Sequence, residues 1–118
     1  MLIITIGDQN LHIDMIENST TQALKQKLLQ GPVEVVMKDY GSMEKVGDLG
    51  FSLPRNDEQI TTQAGDVILY QGCALVIYYK PNSWHFTRIG RINNIKKSDV
   101  KAALGTGKVV AILTWHNE

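Results

Sequence analysis

The sequence predicts a mostly β fold, an antiparallel barrel that is closed or nearly closed, with about eight strands and two short helices. Short segments rich in β-branched and aromatic residues recur along the chain. Clusters of Gly, Asn, Asp or Pro separate them at the spacing typical of hairpins. Only two segments carry helix-start and helix-stop signals. Elements in this order favour a barrel whose ends are covered by the helices.

The N-terminal third is predicted to contain a hairpin and the longer helix. Residues 1–6 and 11–16 are apolar or alternating strands on either side of the turn cluster 7–10. The Ser-Thr-Thr-Gln sequence that starts at Ser19 matches a capping box, which predicts Ser19 as the N-cap of a helix. Gly31 followed by a proline ends that helix.

The rest of the chain is predicted to be mainly strands. We expect turns, short strands and long loops from 38 to 63, where four glycines and prolines interrupt the pattern, and a short helix over 99–104 with Ser98 as its cap. The expected strands are 33–37, 67–70, 73–79, 84–92 and 108–115.

Composition limits the possible functions. At 118 residues the chain is long enough for one domain, 1–118, and its 43% hydrophobic and 20% charged residues are typical of a globular protein. Twelve basic and twelve acidic side chains cancel, so neither a nucleic acid nor an anionic membrane is an expected partner. The single cysteine, Cys73, excludes an internal disulfide, and the three scattered histidines give no metal-ligand spacing. No metal or other cofactor is expected.

The location expected from the sequence is the cytoplasm. The first apolar run ends after six residues and has no basic segment before it, which does not fit a signal peptide or a membrane span. One cysteine is compatible with a reducing compartment.

Aromatic and basic side chains concentrate between positions 70 and 91. Alternation along the strand 84–92 puts Trp84, Phe86 and Arg88 on one face. An aromatic ledge with an arginine at its end could hold an apolar or anionic ligand, or an extended peptide. Alternatively, Trp84 and Phe86 simply fill the barrel core. The sequence leaves both interpretations open.

Five segments, in this order, resemble the small bacterial and archaeal cyclophilin-like domains. They are Gly-Asp-Leu-Gly-Phe-Ser-Leu-Pro at 47–54, Ala-Gly-Asp-Val-Ile-Leu-Tyr at 64–70, Leu-Val-Ile-Tyr-Tyr at 75–79, Thr-Arg-Ile-Gly-Arg-Ile at 87–92 and Ala-Ala-Leu-Gly-Thr-Gly at 102–107. The resemblance covers essentially the whole chain. It implies a cyclophilin-type barrel of eight strands, in agreement with the strand count.

The resemblance does not imply prolyl isomerase activity. True cyclophilins carry a catalytic arginine in a Phe-His-Arg context, followed by a Gln-Gly-Gly-Asp segment, and neither string occurs here. Phe86-Thr87-Arg88 is the nearest match, but it follows the Gly-Asp hairpin, whereas the cyclophilin arginine precedes the corresponding hairpin. No catalytic role is therefore transferred to Arg88.

The expected function is that of a non-catalytic binding domain, which holds a peptide segment or a small ligand in a groove of the barrel. The alternatives are a weak or divergent peptidyl-prolyl isomerase, with Arg55 or Arg88 as amide donor, and a structural or regulatory subunit that pairs through a strand edge. The chain could be a monomer or a homodimer. The candidate ligand-binding residues are Phe51, Pro54, Arg55, Tyr70, Tyr79, Trp84, Phe86 and Arg88.

Overall fold

The computed structural model describes residues 1–117, which form nine strands, two α-helices and one short 3-10 helix. In chain order the elements are β1 Leu2–Ile6, β2 Gln9–Met15, α1 Ser19–Gln30, β3 Val33–Tyr40, β4 Glu44–Asp48, β5 Glu58–Thr61, β6 Asp66–Tyr70, β7 Ala74–Tyr78, β8 Ser83–Ile92, the 3-10 helix Lys97–Asp99, α2 Val100–Leu104 and β9 Val109–Trp115.

Eight of the strands close into an antiparallel barrel. Their order is β2-β1-β9-β3-β4-β7-β6-β8, and β8 pairs back onto β2 through Ile13 opposite Ile92. The remaining strand, β5, extends the sheet by pairing with the first half of β8, where Glu58 lies opposite Phe86. The predicted fold class is therefore confirmed: a mostly β barrel of eight strands with two short helices.

Closure depends on a close backbone approach at Gly90. A Cβ atom at this position would lie 2.1 Å from the carbonyl oxygen of Asp14 on β2, far inside van der Waals contact. The register of β8 with β6 also shifts beside Gly90, between Val67 and Ile68, as it does at a β-bulge. Glycine is thus required where β8 turns from β6 to meet β2.

The barrel interior forms one apolar core, to which both helices contribute. Strands such as β1, β6 and β9 point alternate residues inward, among them Ile4, Leu69 and Leu113. Leu24 of α1 and Leu104 of α2 belong to the same buried cluster. The two helices therefore pack against the barrel interior through these apolar residues.

The helix starts differ from the sequence predictions. The N-cap of α1 is Asn18, not Ser19: Asn18 Oδ1 accepts from the Thr21 backbone N–H at 2.8 Å, and Asn18 N–H donates to Thr21 Oγ1 at 3.1 Å. The buried Thr21 hydroxyl also donates to the Ile16 carbonyl at 2.7 Å. This bond helps to fix the capping box one residue earlier than the sequence predicted. Likewise, Ser98 lies within the 3-10 helix, and α2 starts at Val100 without a side-chain cap.

Candidate functional site

A second apolar cluster lies on the outside of the barrel, separate from the core. On β6, Val67 and Leu69 face inward and Ile68 faces outward; on β7, Ile77 faces inward and Tyr78 outward. The buried members of this outer cluster are Ile60, Ile68, Val76, Tyr78 and Phe86, with Met43, Val46 and Tyr70 packed at its border. Barrel strands in this region thus carry apolar side chains on both faces.

Two buried members of this outer cluster, Tyr78 and Phe86, form the floor of a groove, which we call the aromatic groove. Its volume is about 390 Å³, and it is lined by Tyr40, Glu44, Val46, Tyr70, Tyr78, Asn82, Trp84 and Phe86. Tyr78 and Phe86 are buried in the floor, whereas Trp84 and Tyr40 are 57% and 70% exposed. The groove therefore combines a fixed floor with two aromatic side chains that are open to solvent.

Aromatic contacts hold the floor in place. The ring centroid of Phe86 lies 6.1 Å from that of Tyr70 and 5.6 Å from that of Tyr78, with interplanar angles of 60° and 61°. These are edge-to-face pairs, the arrangement that aromatic quadrupoles favour. Asn82 Nδ2 donates to the Tyr78 hydroxyl at 3.2 Å and fixes that ring further.

Two ionisable groups in the groove have shifted pKa values. Burial raises the pKa of the Glu44 carboxyl, and the nearby Tyr78 hydroxyl, which favours the charged form, offsets only part of that effect. Burial also raises the pKa of Tyr78 to about 12, against the opposing hydrogen bond from Asn82. Both shifts have the same cause, because the groove excludes much of the water that would solvate a charge.

The structure brings three of the predicted site residues into this groove: Tyr70, Trp84 and Phe86. Of the two interpretations of Trp84 and Phe86, the outer-face one agrees with the structure, since both lie outside the barrel core. Arg88 is on the same side of β8 but lines a neighbouring depression with Ile68, where its Nε donates to Glu58 Oε1 at 3.0 Å.

The other predicted site residues lie apart from the aromatic groove. Tyr79 belongs to the barrel core, while Phe51 packs against that core with the Lys27 ammonium 5.0 Å from its ring centroid. Pro54 accepts a hydrogen bond from Thr20 through its carbonyl. The neighbouring Arg55 forms an ion pair with an aspartate two residues later, at 2.5 Å.

Five lining residues were missing from the sequence prediction: Tyr40, Glu44, Val46, Tyr78 and Asn82. Alternation along 73–79 could have placed Tyr78 outward. Tyr40 and Glu44 carry no such signal, since they meet only through the β3–β4 hairpin, which lies in a stretch where glycines hide the strand pattern.

An ion pair between a buried lysine and a partly exposed aspartate lies on the inner side of the same hairpin. Lys45 is 0% exposed, and its Nζ lies 3.0 Å from Asp39 Oδ1 and donates to the Gly107 carbonyl. Asp39 also accepts from the Gly107 N–H at 2.8 Å and from the Tyr79 hydroxyl at 2.9 Å. The Gly107 hydrogen bond is the main cause that lowers the pKa of Asp39. This network ties the 105–107 turn to the barrel.

Two kinds of feature are absent from residues 1–117. No cluster of three His, Cys, Asp or Glu side chains there has the geometry to hold a metal ion. No helix in that range has the length and apolar character needed to cross a bilayer.

Comparisons with known proteins support the fold. The model of the Cyclophilin-like family matches residues 4–114. The solution structure of a hypothetical protein from Archaeoglobus fulgidus is similar, with a TM-score of 0.66 and 14% sequence identity over 96% of this chain and 92% of that one. At this identity the likeness concerns the fold alone. A search of curated proteins gives no significant match.

Proposed function

The chain belongs to the Cyclophilin-like family, and from that premise we propose that it is a binding domain, which holds a peptide segment or a small ligand in the aromatic groove. The observation that carries the proposal is the groove itself: exposed Tyr40 and Trp84 stand beside a floor of buried Tyr78 and Phe86. Ligand sites are typically concave, mostly apolar, largely preformed and supplied with a few polar groups. The aromatic groove meets each of these criteria.

Exposed aromatic side chains support binding over a purely structural role. Trp and Tyr dominate the energy of binding surfaces because they bury a large area at a small cost in side-chain entropy. The edge-to-face contacts of Phe86 fix the floor before any ligand arrives, which lowers the entropic cost of binding.

Binding is a better match to this groove than prolyl isomerisation. The two arginines considered as amide donors, Arg55 and Arg88, both lie outside the groove and are paired with Asp57 and Glu58. The groove offers the amide of Asn82 as a neutral donor instead. We therefore treat isomerisation as an outcome of the test below rather than as the leading function.

The proposal also covers the surroundings of the protein. We place it in the cytoplasm, in line with the free thiol of Cys73, and expect its partners to be peptides or small molecules, in line with zero net charge. Fractionation of cells that express a tagged chain would test the location, and sedimentation would show whether it is a monomer or a homodimer.

The test of the proposed function is a two-dimensional NMR titration of the 15N-labelled protein with short X-Pro peptides and a set of small apolar ligands. We expect saturable shifts at residues of the groove, and an affinity that falls roughly tenfold in Trp84→Ala because an aromatic wall is lost. Val110→Ala is the matched control, because Val110 is also an exposed apolar side chain of the barrel but lies outside the groove.

Exchange spectra of the peptides separate binding from catalysis. Groove shifts without faster cis–trans exchange would support the binding domain. Groove shifts with faster exchange would favour the isomerase alternative. If no peptide and no small ligand perturbs the groove, the proposed function is wrong.

A further inference from the structure

The groove contains one charged side chain, Glu44, whose cross-strand neighbours are both aromatic. Glu44 on β4 lies directly opposite Tyr40 of β3 and opposite Tyr78 of β7. Directly opposed residues of antiparallel strands point to the same face, with their Cβ atoms only about 5 Å apart. The carboxylate is therefore set between two phenol rings, and Trp84 and Phe86 of β8 complete the lining.

No cation of the described chain neutralises this carboxylate. Within residues 1–117 Glu44 takes part in no ion pair, and the groove lining contains no Lys, Arg or His. Lys45, its neighbour in sequence, points into the barrel and is paired with Asp39. Lys38 lies on the outer face opposite Val46, but it is exposed and outside the lining. The charge offered by the groove is therefore negative.

Two features of the groove attract positive charge. Glu44 is only 9% exposed, so burial penalises its charged form, and a cation beside the carboxylate would offset that penalty. The faces of Trp and Tyr rings attract cations through their quadrupoles, most strongly where water is excluded. An anionic ligand would meet repulsion from the carboxylate and from the ring faces.

We propose that the ligand of the aromatic groove is an organic cation, an ammonium group with alkyl substituents whose charge lies beside Glu44 and whose alkyl groups lie against Tyr40, Tyr78 and Trp84. This inference rests on the proposed function and specifies its ligand class. Such a head group occurs in free quaternary amines and on methylated lysine side chains of peptides. Both offer the same chemistry to the groove.

The first test compares two probes that have the same shape and differ in charge. Choline carries a trimethylammonium group, whereas 3,3-dimethyl-1-butanol carries a neutral tert-butyl group in its place. Each is titrated into the 15N-labelled protein at constant pH and ionic strength, and the shifts of the groove amides and of the Trp84 indole N–H are followed. We expect choline to bind at least roughly tenfold more tightly than the neutral alcohol.

The second test uses a pair of variants with the same change in net charge. Glu44→Gln keeps the shape of the side chain and removes its charge, and we expect choline binding to weaken roughly tenfold or more while alcohol binding stays unchanged. Glu34→Gln is the control, because Glu34 is an exposed residue of β3 outside the groove. Its choline affinity should stay within about twofold of the unmodified chain, since exposed charges are well screened. A well-dispersed amide spectrum confirms that each variant is folded.

A third titration distinguishes the two sources of the cation. A short peptide with one trimethyllysine is compared with choline and with the same peptide carrying an uncharged norleucine at that position. Tighter binding of the trimethyllysine peptide than of choline would identify a peptide ligand, and the reverse order a free amine. Either result supports the proposal, provided that the norleucine peptide binds more weakly.

Three results would overturn the inference. They are equal affinity for choline and its neutral isostere, an unchanged choline affinity in Glu44→Gln, and no groove shift with choline or the trimethyllysine peptide at millimolar concentration. If neutral ligands or X-Pro peptides still perturb the groove, only the charge preference is wrong and the proposed function stands. If no ligand of any class does so, both are wrong.

Discussion

Removing Asp39 should destabilise the protein far more than removing Lys45, although both substitutions break the same ion pair. The Lys45 ammonium is fully buried, and its two polar partners are Asp39 and the Gly107 carbonyl. The Asp39 side chain is 33% exposed and also accepts hydrogen bonds from the Gly107 N–H and the Tyr79 hydroxyl. The Lys45 charge therefore depends on Asp39 for its stabilisation, whereas the Asp39 charge is also stabilised by water and by two other donors.

The size of the effect follows from that asymmetry. In Asp39→Ala a buried ammonium keeps one neutral carbonyl as its partner, and an uncompensated buried charge of this kind costs about 3–5 kcal/mol. At roughly 4 °C of melting temperature per kcal/mol for a domain of this size, Tm should fall by about 12–20 °C. Lys45→Met keeps the unbranched apolar stem and leaves no charge buried, so the free energy of unfolding should change by no more than about 1 kcal/mol.

The assay is urea denaturation at neutral pH, followed by circular dichroism, for both single variants and for the double variant Asp39→Asn/Lys45→Met. The double variant should recover most of the stability that Asp39→Ala loses, because it buries no unpaired charge. If Lys45→Met costs as much as Asp39→Ala, attraction within the pair outweighs the cost of burying lysine, and the reasoning is refuted.

Three further predictions concern closure, pH and capping. Gly90→Ala should unfold the barrel or lower the free energy of unfolding by more than about 3 kcal/mol, because its Cβ would lie 2.1 Å from the Asp14 carbonyl oxygen. Thermal melting measures this loss, and an unchanged Tm would contradict the close approach. Burial raises the pKa of Tyr79 from 10.0 to about 12, so its contribution to stability is complete below pH 10 and is lost as pH rises towards 12. Between pH 10 and 12 the urea midpoint should fall less steeply with pH in Tyr79→Phe than in the unmodified protein. Equal slopes in the two proteins would argue against a buried Tyr79 hydroxyl. Asn18→Ala should lower the free energy of unfolding by about 1–2 kcal/mol, and Ser19→Ala by less than about 0.5 kcal/mol, as measured by urea denaturation. If Ser19 were the N-cap, the order of the two losses would be reversed.

Local sequence patterns predicted the fold class and located seven of the nine described strands, but not β4 and β5, which lie within 38–63. The strands 67–70, 73–79 and 84–92 could be predicted because β-branched residues alternate between turn clusters, and both signals act within a few residues. The helix before Gly31 was predicted from its capping and stop residues, which are equally local signals. The resemblance to cyclophilin-like domains implied the same eight-stranded barrel, and the pairing of β8 with β2 confirms its closure.

For the site, sequence patterns alone determined that Trp84 and Phe86 share one face of a strand, and only the structure showed that this face lies outside the barrel core. What lies beside them is decided by register between strands that are distant along the chain. Tyr40, Glu44 and Tyr78 form one row across three strands only because β3, β4 and β7 pair as they do. The same pairing turns Lys45 into the core while its neighbour Glu44 faces the groove, since a shift of one residue would exchange the two faces. Alternation in a sequence therefore indicates that a strand has two faces, and only tertiary packing decides which side chains from other strands share each face.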